Sequence, residues 1–450
     1  MNNVAPLLPL RLLQATLASV GTAAIVYSGS AAEFNYGLGY TAEYTTNINA
    51  APRGREQDEW YNAVLARIGY ADNTDTLVAR LTTEVQYRDY VHDRANDETL
   101  YAVDGSAIWT LWPGLLTWTV EDSARQVRLN PTGPDAPANR AAANVFRTGP
   151  DAYFHVSRLH TLSVGARYTN LYVGESDVDN QAYSGVVRWL YQSTPQTTWS
   201  MNAERQRVEF DNRALNDNYV RNDAYLQVNN HFAQSQLVLL GGATSIDRDR
   251  GTDVRGSLAR LSWSHNISST SVFGLSASVG YQDTSFQLLG EVSAPTDPLT
   301  PIAAGSIGTD AVSADFYYNR AADMFYTLRG SRTEYRFRIH GADLDFQTTP
   351  QDRKEAGARF EFNYLYSATS TIGVFGDYLK TRFQSIRRDD EDTEFGARYG
   401  YRISRNTTLG LEARRHQRSS TDPTAEYIDN RYLFTILYST EPLRLPTAQP

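Results

Sequence analysis

The chain has 450 residues, of which 41% are hydrophobic, 12% aromatic and 21% charged, and its formal net charge is −9. It contains no cysteine, which excludes a disulfide scaffold, thiol catalysis and zinc sites built on cysteine. The acidic balance argues against nucleic acid as a partner. The 29 tyrosines and 30 glycines favour strands and tight turns over helices.

Residues 1–32 have the composition of an export signal. The segment carries one basic residue, Arg11, and no acid, and residues 12–27 are mostly small and apolar. Small residues at positions 30–32 then suit a signal peptidase, so we expect cleavage before Glu33. The alternative is a membrane anchor, but the apolar run is short and interrupted by polar residues. The segment therefore predicts an exported protein.

From Phe34 to Tyr438, apolar and polar residues alternate. In residues 77–88, the odd-numbered positions are mostly apolar, whereas the even-numbered positions from Arg80 onward are polar or charged. Neighbouring side chains of a strand point to opposite faces, so each such run has one apolar and one polar face. The same division recurs at residues 162–169, 355–364, 394–402 and 408–414.

The connections between these runs alternate between short and long. Turn-forming residues predict short turns at residues 72–75, 112–114, 193–196, 266–269, 321–323 and 404–406. Longer polar loops are predicted at residues 91–97, 211–218, 249–253 and 384–392, and the two longest at 127–149 and 284–309. Short turns on one rim and long loops on the other are typical of an outer-membrane β-barrel.

We therefore predict an all-β chain that forms one transmembrane antiparallel up-and-down β-barrel over residues 33–440, followed by a short tail at 441–450. Counting the runs gives about 18–20 strands, with about 20 as the best count. A sheet in hydrocarbon must close, because each unpaired backbone group costs several kcal/mol. Aromatic residues near the strand ends suit the two membrane interfaces. A soluble all-β protein is the alternative, but it would have strongly buried inner strands, and few such runs are present.

If the apolar face meets lipid, the polar face lines a hydrated lumen that is wide enough for an aqueous channel. Arginine forks and tyrosine rings suit hydroxyl-rich or carboxylate-bearing polymers, although such charges can also serve only to solvate the wall and cross-link strands. The candidate lumen residues for substrate contact are Arg80, Glu84, Arg88, Glu121, Arg125, Arg167, Glu204, Arg329, Arg359, Glu361, Asp377, Arg398, Glu412 and Arg414.

Motifs for catalysis are not found. The seven histidines do not have metal-ligand spacing, and no nucleophile elbow, phosphate loop or dinucleotide fingerprint occurs. We predict that the chain is not an enzyme and that it has no catalytic residues, no metal site and no cofactor. A barrel hydrolase, whose Ser and His would be distant in sequence, and a surface adhesin are the weaker alternatives.

Two segments carry a pattern seen elsewhere. Residues 43–48 read Glu-Tyr-Thr-Thr-Asn-Ile, and the Ala-Asn-Arg of residues 138–140 is followed by Asn-Val-Phe at 144–146 and Gly-Pro-Asp at 149–151. They resemble segments of an outer-membrane β-barrel porin family associated with exopolysaccharide biosynthesis and export clusters, which commonly has Asp in place of Thr46. The resemblance implies a conduit for an exopolysaccharide, working beside periplasmic and inner-membrane synthesis and export components. It transfers no functional residue.

Together these observations predict a channel in the outer membrane of a Gram-negative bacterium, exported through its signal peptide. The expected partners are outer-membrane lipid and lipopolysaccharide, a polysaccharide chain and the synthesis apparatus, without nucleic acid. The alternative function is a general diffusion porin for small hydrophilic solutes.

Overall fold

A computed structural model describes residues 32–130, 132–283 and 315–440. The predicted signal peptide, apart from Ala32, lies outside the described residues, as do the predicted loop 284–309 and the tail 441–450. The described part of the chain contains no helix that is long and apolar enough to cross a membrane.

Twenty strands occur in the described ranges. The first ten are β1 (Glu33–Thr45), β2 (Glu59–Asn73), β3 (Leu77–Tyr90), β4 (Glu98–Trp112), β5 (Leu116–Arg128), β6 (Arg140–His155), β7 (His160–Val173), β8 (Asn180–Thr194), β9 (Thr197–Phe210) and β10 (Tyr219–His231). The other ten are β11 (Ser235–Arg248), β12 (Val254–Ser268), β13 (Ser271–Gln282), β14 (Tyr317–Arg329), β15 (Thr333–Phe346), β16 (Arg353–Ser367), β17 (Ser370–Phe383), β18 (Arg388–Arg402), β19 (Thr407–Ser420) and β20 (Tyr427–Ser439). Short 3-10 turns lie at Pro137–Asn139 and Pro423–Ala425.

Each strand pairs antiparallel with its chain neighbours, and β1 pairs with β20, from Gly37 opposite Ser439 to Thr45 opposite Arg431. The sheet therefore closes into a 20-stranded antiparallel β-barrel, the architecture of outer-membrane barrels. Closure gives every strand a partner on both sides, so no edge is left with unpaired amides. The predicted fold class and the best strand count are confirmed.

The two rims differ as the sequence predicts. The short-turn rim carries tight connections such as residues 195–196 between β8 and β9, and Gly114, whose φ of +72° makes the turn after β4. The loop rim carries longer segments such as residues 46–58 between β1 and β2.

Three predicted connections are wrong. The predicted loop 127–149 is strand at both ends, because Val127 pairs with Ala141 and the small residues from there onward continue the ladder of β6, which leaves 129–139 as the connection. The predicted turn 321–323 lies inside β14, where Ala322 fits the pleat opposite Gly341. The predicted loop 384–392 is only four residues long, 384–387, since β18 begins at Arg388 opposite Phe383.

The two faces of the wall alternate along each strand. On β2, Val64 is 60% exposed and points outward, whereas its neighbour Leu65 is 1% exposed and points inward. Trp60, Trp109 and Trp189 are further exposed apolar residues of the outer face. Exposed apolar side chains on the outer face are typical of a barrel wall that faces lipid.

Candidate functional site: the charged lumen

The strand register places all fourteen predicted lumen residues at inward positions of the barrel wall. Five of them form ion pairs outside the largest cluster: Glu84 with Arg67, Arg88 with Glu98, Glu121 with Arg147, Arg167 with Asp151, and Arg329 with Glu334. Arg80, Arg125 and Glu204 lie on the inner faces of β3, β5 and β9. The remaining six gather on neighbouring strands β16–β19: Arg359, Glu361, Asp377, Arg398, Glu412 and Arg414. Their contact with a substrate stays a prediction.

These six belong to what we call the charged wall, the inner face of β16–β20 continued across the closure onto β1–β3. Many of its ion pairs join inward residues two positions apart on the same strand. Arg353 Nε lies 2.6 Å from Glu355, and Arg388 Nη2 lies 2.8 Å from Asp390. A cross-strand example is Arg418, whose Nε donates to Asp392 at 2.8 Å. The wall therefore neutralises most of its own charge while staying polar.

Asp377 and Glu394 are an exception on the charged wall. They lie directly opposite each other on β17 and β18, and neither has a cationic side-chain nitrogen within 4.0 Å in the described ranges. Like charges in directly opposite positions destabilise a sheet, so this pair does not serve folding. Its chemistry suits weak attraction of cations or hydrogen-bonding donors in the lumen.

Toward the loop rim, inward arginines lie over aromatic rings. The guanidinium carbon is 4.8 Å from the ring centre in Arg88–Tyr61 and in Arg388–Phe383, 5.4 Å in Arg418–Tyr427 and 5.5 Å in Arg353–Phe346. Such cation–π contacts orient both groups. We call these eight residues the arginine–aromatic collar.

The aromatic members of the collar were missed by sequence reasoning. Their signal is nevertheless visible: Phe346 and Phe383 are the last residues of their strands, and Arg353 and Arg388 begin the strands that follow. Across each loop these positions become neighbours on the inner face, since Phe383 lies opposite Arg388 and Arg353 lies over the ring of Phe346.

The segment between β5 and β6 folds into the mouth of the lumen. The backbone oxygen of Thr132 accepts a hydrogen bond from Arg388 Nη2 at 2.5 Å, so the segment reaches β18. Near its own base, Asp135 accepts from Arg140 Nε at 2.9 Å. Burial raises the pKa of Asp135, but the charge and hydrogen bond of Arg140 outweigh it and hold that pKa below its ordinary value.

Two further loops are held over the same mouth. The buried carboxylate of Glu59 accepts backbone hydrogen bonds from His92 and Arg94, both at 2.9 Å, which fixes the loop after β3. Ile48, in the loop after β1, packs with Tyr61 and Tyr90 in a buried apolar cluster. Beside these loops, a cavity of about 320 Å³ is lined by residues of the charged wall, Asp135 and Ala50.

Residues 43–48, the segment that carries the family resemblance, close the barrel. Glu43 is fully buried, accepts a hydrogen bond from the Tyr61 hydroxyl, and lies 3.7 Å from Arg431 Nη1 and 4.0 Å from Arg414 Nη2. The Thr45 hydroxyl donates to Asp429 on β20 at 2.7 Å. The side-chain contacts of this segment are thus structural.

Within the described residues, no group of three or more His, Asp or Glu side chains could hold a metal ion. That the chain is not an enzyme and needs no cofactor stays a prediction.

Neither protein-family models nor curated proteins match this chain. Several solved structures are similar to this chain at low sequence identity. The porin OccK2 of Pseudomonas aeruginosa is 11% identical with a TM-score of 0.40, covering 91% of this chain and 98% of the porin. The copper transporter OprC is 9% identical with a TM-score of 0.45, over 92% and 81%. The iron transporter FrpB of Neisseria meningitidis is 9% identical with a TM-score of 0.48, over 90% and 81%.

Proposed function

We propose that this chain is a channel in the outer membrane of a Gram-negative bacterium, with a hydrated lumen as its transport path. The observation that carries the proposal is the division of each strand between an exposed apolar outer face and a charged inner face. The outer face suits lipid, with lipopolysaccharide as a neighbour, and the inner face suits water and polar solutes. We propose transport, not catalysis, as its activity.

The finer proposal is that the cargo is an exopolysaccharide chain. It rests on the resemblance of residues 43–48 and 138–151 to the export-associated family, and the chemistry of the lumen supports it. The collar offers aromatic faces and guanidinium donors, which suit sugar rings and hydroxyl or carboxylate groups. Because most wall charges are already paired, a sliding polymer would meet many weak contacts and no deep trap, as conduction requires.

On this proposal, periplasmic and inner-membrane synthesis components deliver the polymer and supply the energy. The barrel itself is passive.

A second candidate is a diffusion porin for small hydrophilic solutes. One observation favours it: the segment between β5 and β6 crosses the mouth and is tied to β18 through Thr132 and Arg388. A narrowed mouth suits solutes smaller than a polymer.

Single-channel recording in planar bilayers separates the two candidates. Purified exopolysaccharide fragments are added to one side, and linear neutral glucan of equal length is the control. The export proposal expects blocks whose duration grows with exopolysaccharide length and which neutral glucan does not match. Steady conductance in the presence of the fragments, with rapid entry of small sugars into proteoliposomes, would favour the porin. In cells, normal extracellular polymer in a deletion strain without a redundant copy would remove the export proposal.

A further inference from the structure

The outer wall carries charge where a lipid-facing surface should be apolar. On β9–β12, the strand register aligns one outward row of polar side chains: Arg205, Asn222, Ser245 and Arg255. Arg205 and Arg255 are exposed. Arg205 Nη1 donates only to Asn222, at 3.4 Å, and Arg255 has no hydrogen-bonding or ionic partner in the described ranges. This outer row is separate from the lumen.

Most other outward cations in the described wall are paired with carboxylates; Arg415 on β19 is an exception, and it donates to the Asn430 side chain at 3.5 Å. Arg207 Nη2 lies 2.7 Å from Asp249, Lys380 Nζ lies 2.6 Å from Glu391, and Arg320 Nη1 lies 3.2 Å from Asp343. Neither Arg205 nor Arg255 has a carboxylate oxygen within 4.0 Å in the described chain. Both therefore lack a direct ion pair, although the exposed carboxylate of Asp247 on β11 accepts a hydrogen bond from Asn222 of the row at 3.3 Å.

The row lies at the depth of lipid headgroups. Strands of about 14 residues, tilted by about 40°, span roughly 35 Å along the membrane normal, about 10 Å more than the apolar band of such barrels. Arg255 is the second residue of β12 at the loop rim, and Arg205 lies in the loop-rim half of β9. Arginine at the bilayer midplane would cost about 2–4 kcal/mol, but near the interface the cost falls to about 0–1 kcal/mol, and its long stem lets the charge reach the headgroups.

Below the row, toward the membrane centre, the wall is recessed. The next outward positions are the small residues Ala203, Ala224 and Ala243, and together with the arginine row they line a groove of about 610 Å³. At the next outward positions toward the membrane centre lie the larger apolar side chains of Met201 and Leu226. A cationic row above an apolar recess complements an amphiphile with an anionic head.

We propose that Arg205, Arg255 and the alanine recess form a docking site for the phosphate-bearing headgroup of an outer-leaflet glycolipid. The two arginines are three strands apart, or roughly 14 Å between their strands. That spacing suits two phosphate groups on one sugar headgroup better than a single phosphate. The first carbons of the lipid's acyl chains would occupy the alanine recess, where no large side chain keeps them from the backbone. This inference rests on the proposed outer-membrane location and concerns no lumen residue.

The test uses the full-length barrel in detergent micelles, titrated with lipid A, with the same lipid stripped of its phosphates, and with inorganic phosphate. The variant is Arg205→Gln with Arg255→Gln. The matched control is Arg320→Gln, which removes an outward arginine that already has a carboxylate partner. Channel conductance of each variant is recorded in parallel, since it reports on the lumen independently of the outer wall.

We expect lipid A to bind the wild-type barrel and the control equally, and the double variant to bind it about tenfold or more weakly, because charge-assisted hydrogen bonds are lost. Dephosphorylated lipid and inorganic phosphate should bind weakly to all three. Equal lipid A affinity in the double variant and the wild type would overturn the inference, as would equal affinity for lipid with and without phosphate. A variant that loses lipid binding but keeps its conductance would show that the channel still works. The outcome for the docking site is therefore separate from the outcome for the proposed channel function.

Discussion

Two parts of the inner surface differ sharply in composition. The charged wall on β16–β20 and β1–β3 carries dense ion pairs and the arginine–aromatic collar. The inner face of β11–β13, which we call the plain wall, is mostly small or uncharged, with residues such as Gly242, Thr244, Ser276 and Ser278. Arg248 and Arg260 are the charged residues at its inward positions.

The difference shows what the lumen charges are for. On the charged wall they lie where the barrel closes and where loops fold in, as in the contacts of Glu43 with Arg431 and of Arg388 with Thr132. Many of these charges therefore hold the structure, and only a few, such as Asp377 and Glu394, are left to act on a solute. The plain wall offers a surface with few charges, on which uncharged polar and apolar side chains are mixed. Substitutions on the two walls should have different effects.

The largest difference should come from Glu43→Ala compared with Thr244→Ala. Loss of the buried Glu43 leaves the Tyr61 hydroxyl and two arginines short of an acceptor, which should cost about 3–5 kcal/mol of unfolding free energy. Thr244 is also buried, but its hydroxyl has no hydrogen-bond partner among the described residues, so its replacement should cost about 1 kcal/mol or less. Urea unfolding of the barrel in lipid vesicles measures both. Equal costs would show that the charged wall does not stabilise the closure.

Ion selectivity should respond next. Replacing Asp377 and Glu394 together by Asn and Gln removes two unpaired carboxylates from the charged wall. In water, a unit charge about 8 Å from a permeating cation contributes roughly 0.5 kcal/mol of attraction. The two carboxylates together contribute about 1 kcal/mol, so their removal should change cation preference by about fivefold. The matched change, Ser276→Asp with Ser278→Asp, adds the same charge to the plain wall and should raise cation preference. Reversal potentials in a salt gradient measure both shifts. An unchanged potential in the first variant would mean that this pair does not face the conducting path.

The contrast between the walls also marks the reach of sequence reasoning. Period-2 alternation defines the barrel and assigns residues such as Arg359 and Glu412 to the inner face, because a strand has only two faces. It cannot tell which inward charges are neutralised, since that depends on register and side-chain reach. Glu43 illustrates the gap: its partners Arg414 and Arg431 are nearly 400 residues away in the chain. The connection 129–139 was overestimated because its Ala-rich flank resembles a loop although it pairs as strand.

A smaller effect should follow from pH at the lumen mouth. The pKa of Asp135 is lowered in the folded state, so its contribution is complete above the ordinary carboxyl value of about 3.9 and is lost as pH falls through the lowered folded value. We expect conductance to be steady from neutral pH to about pH 4 and to rise as the pH falls further and the segment loosens. Asp135→Asn should have the raised conductance at neutral pH.

Asp422→Asn is the control for that experiment. The hydroxyl and backbone hydrogen bonds of Thr424 lower the pKa of Asp422, but both residues belong to one surface loop. This variant should keep the wild-type pH profile. If Asp135→Asn behaves in the same way, the carboxylate of Asp135 does not hold the segment in place.

The smallest effects should come from exposed arginines, on either wall. Arg359 on the charged wall pairs with Glu361 at 2.6 Å, but its side chain is 53% exposed, and Arg336 Nη1 remains 3.5 Å from Glu361 when Arg359 is removed. Arg359→Ala should therefore cost about 1 kcal/mol or less in urea unfolding, as exposed pairs usually do. Arg260→Ala, on the plain wall, should cost still less, because Arg260 has no ion-pair partner in the described ranges. A cost for Arg359→Ala near that of Glu43→Ala would mean that pairing along the strand, and not burial at the closure, gives the charged wall its stability.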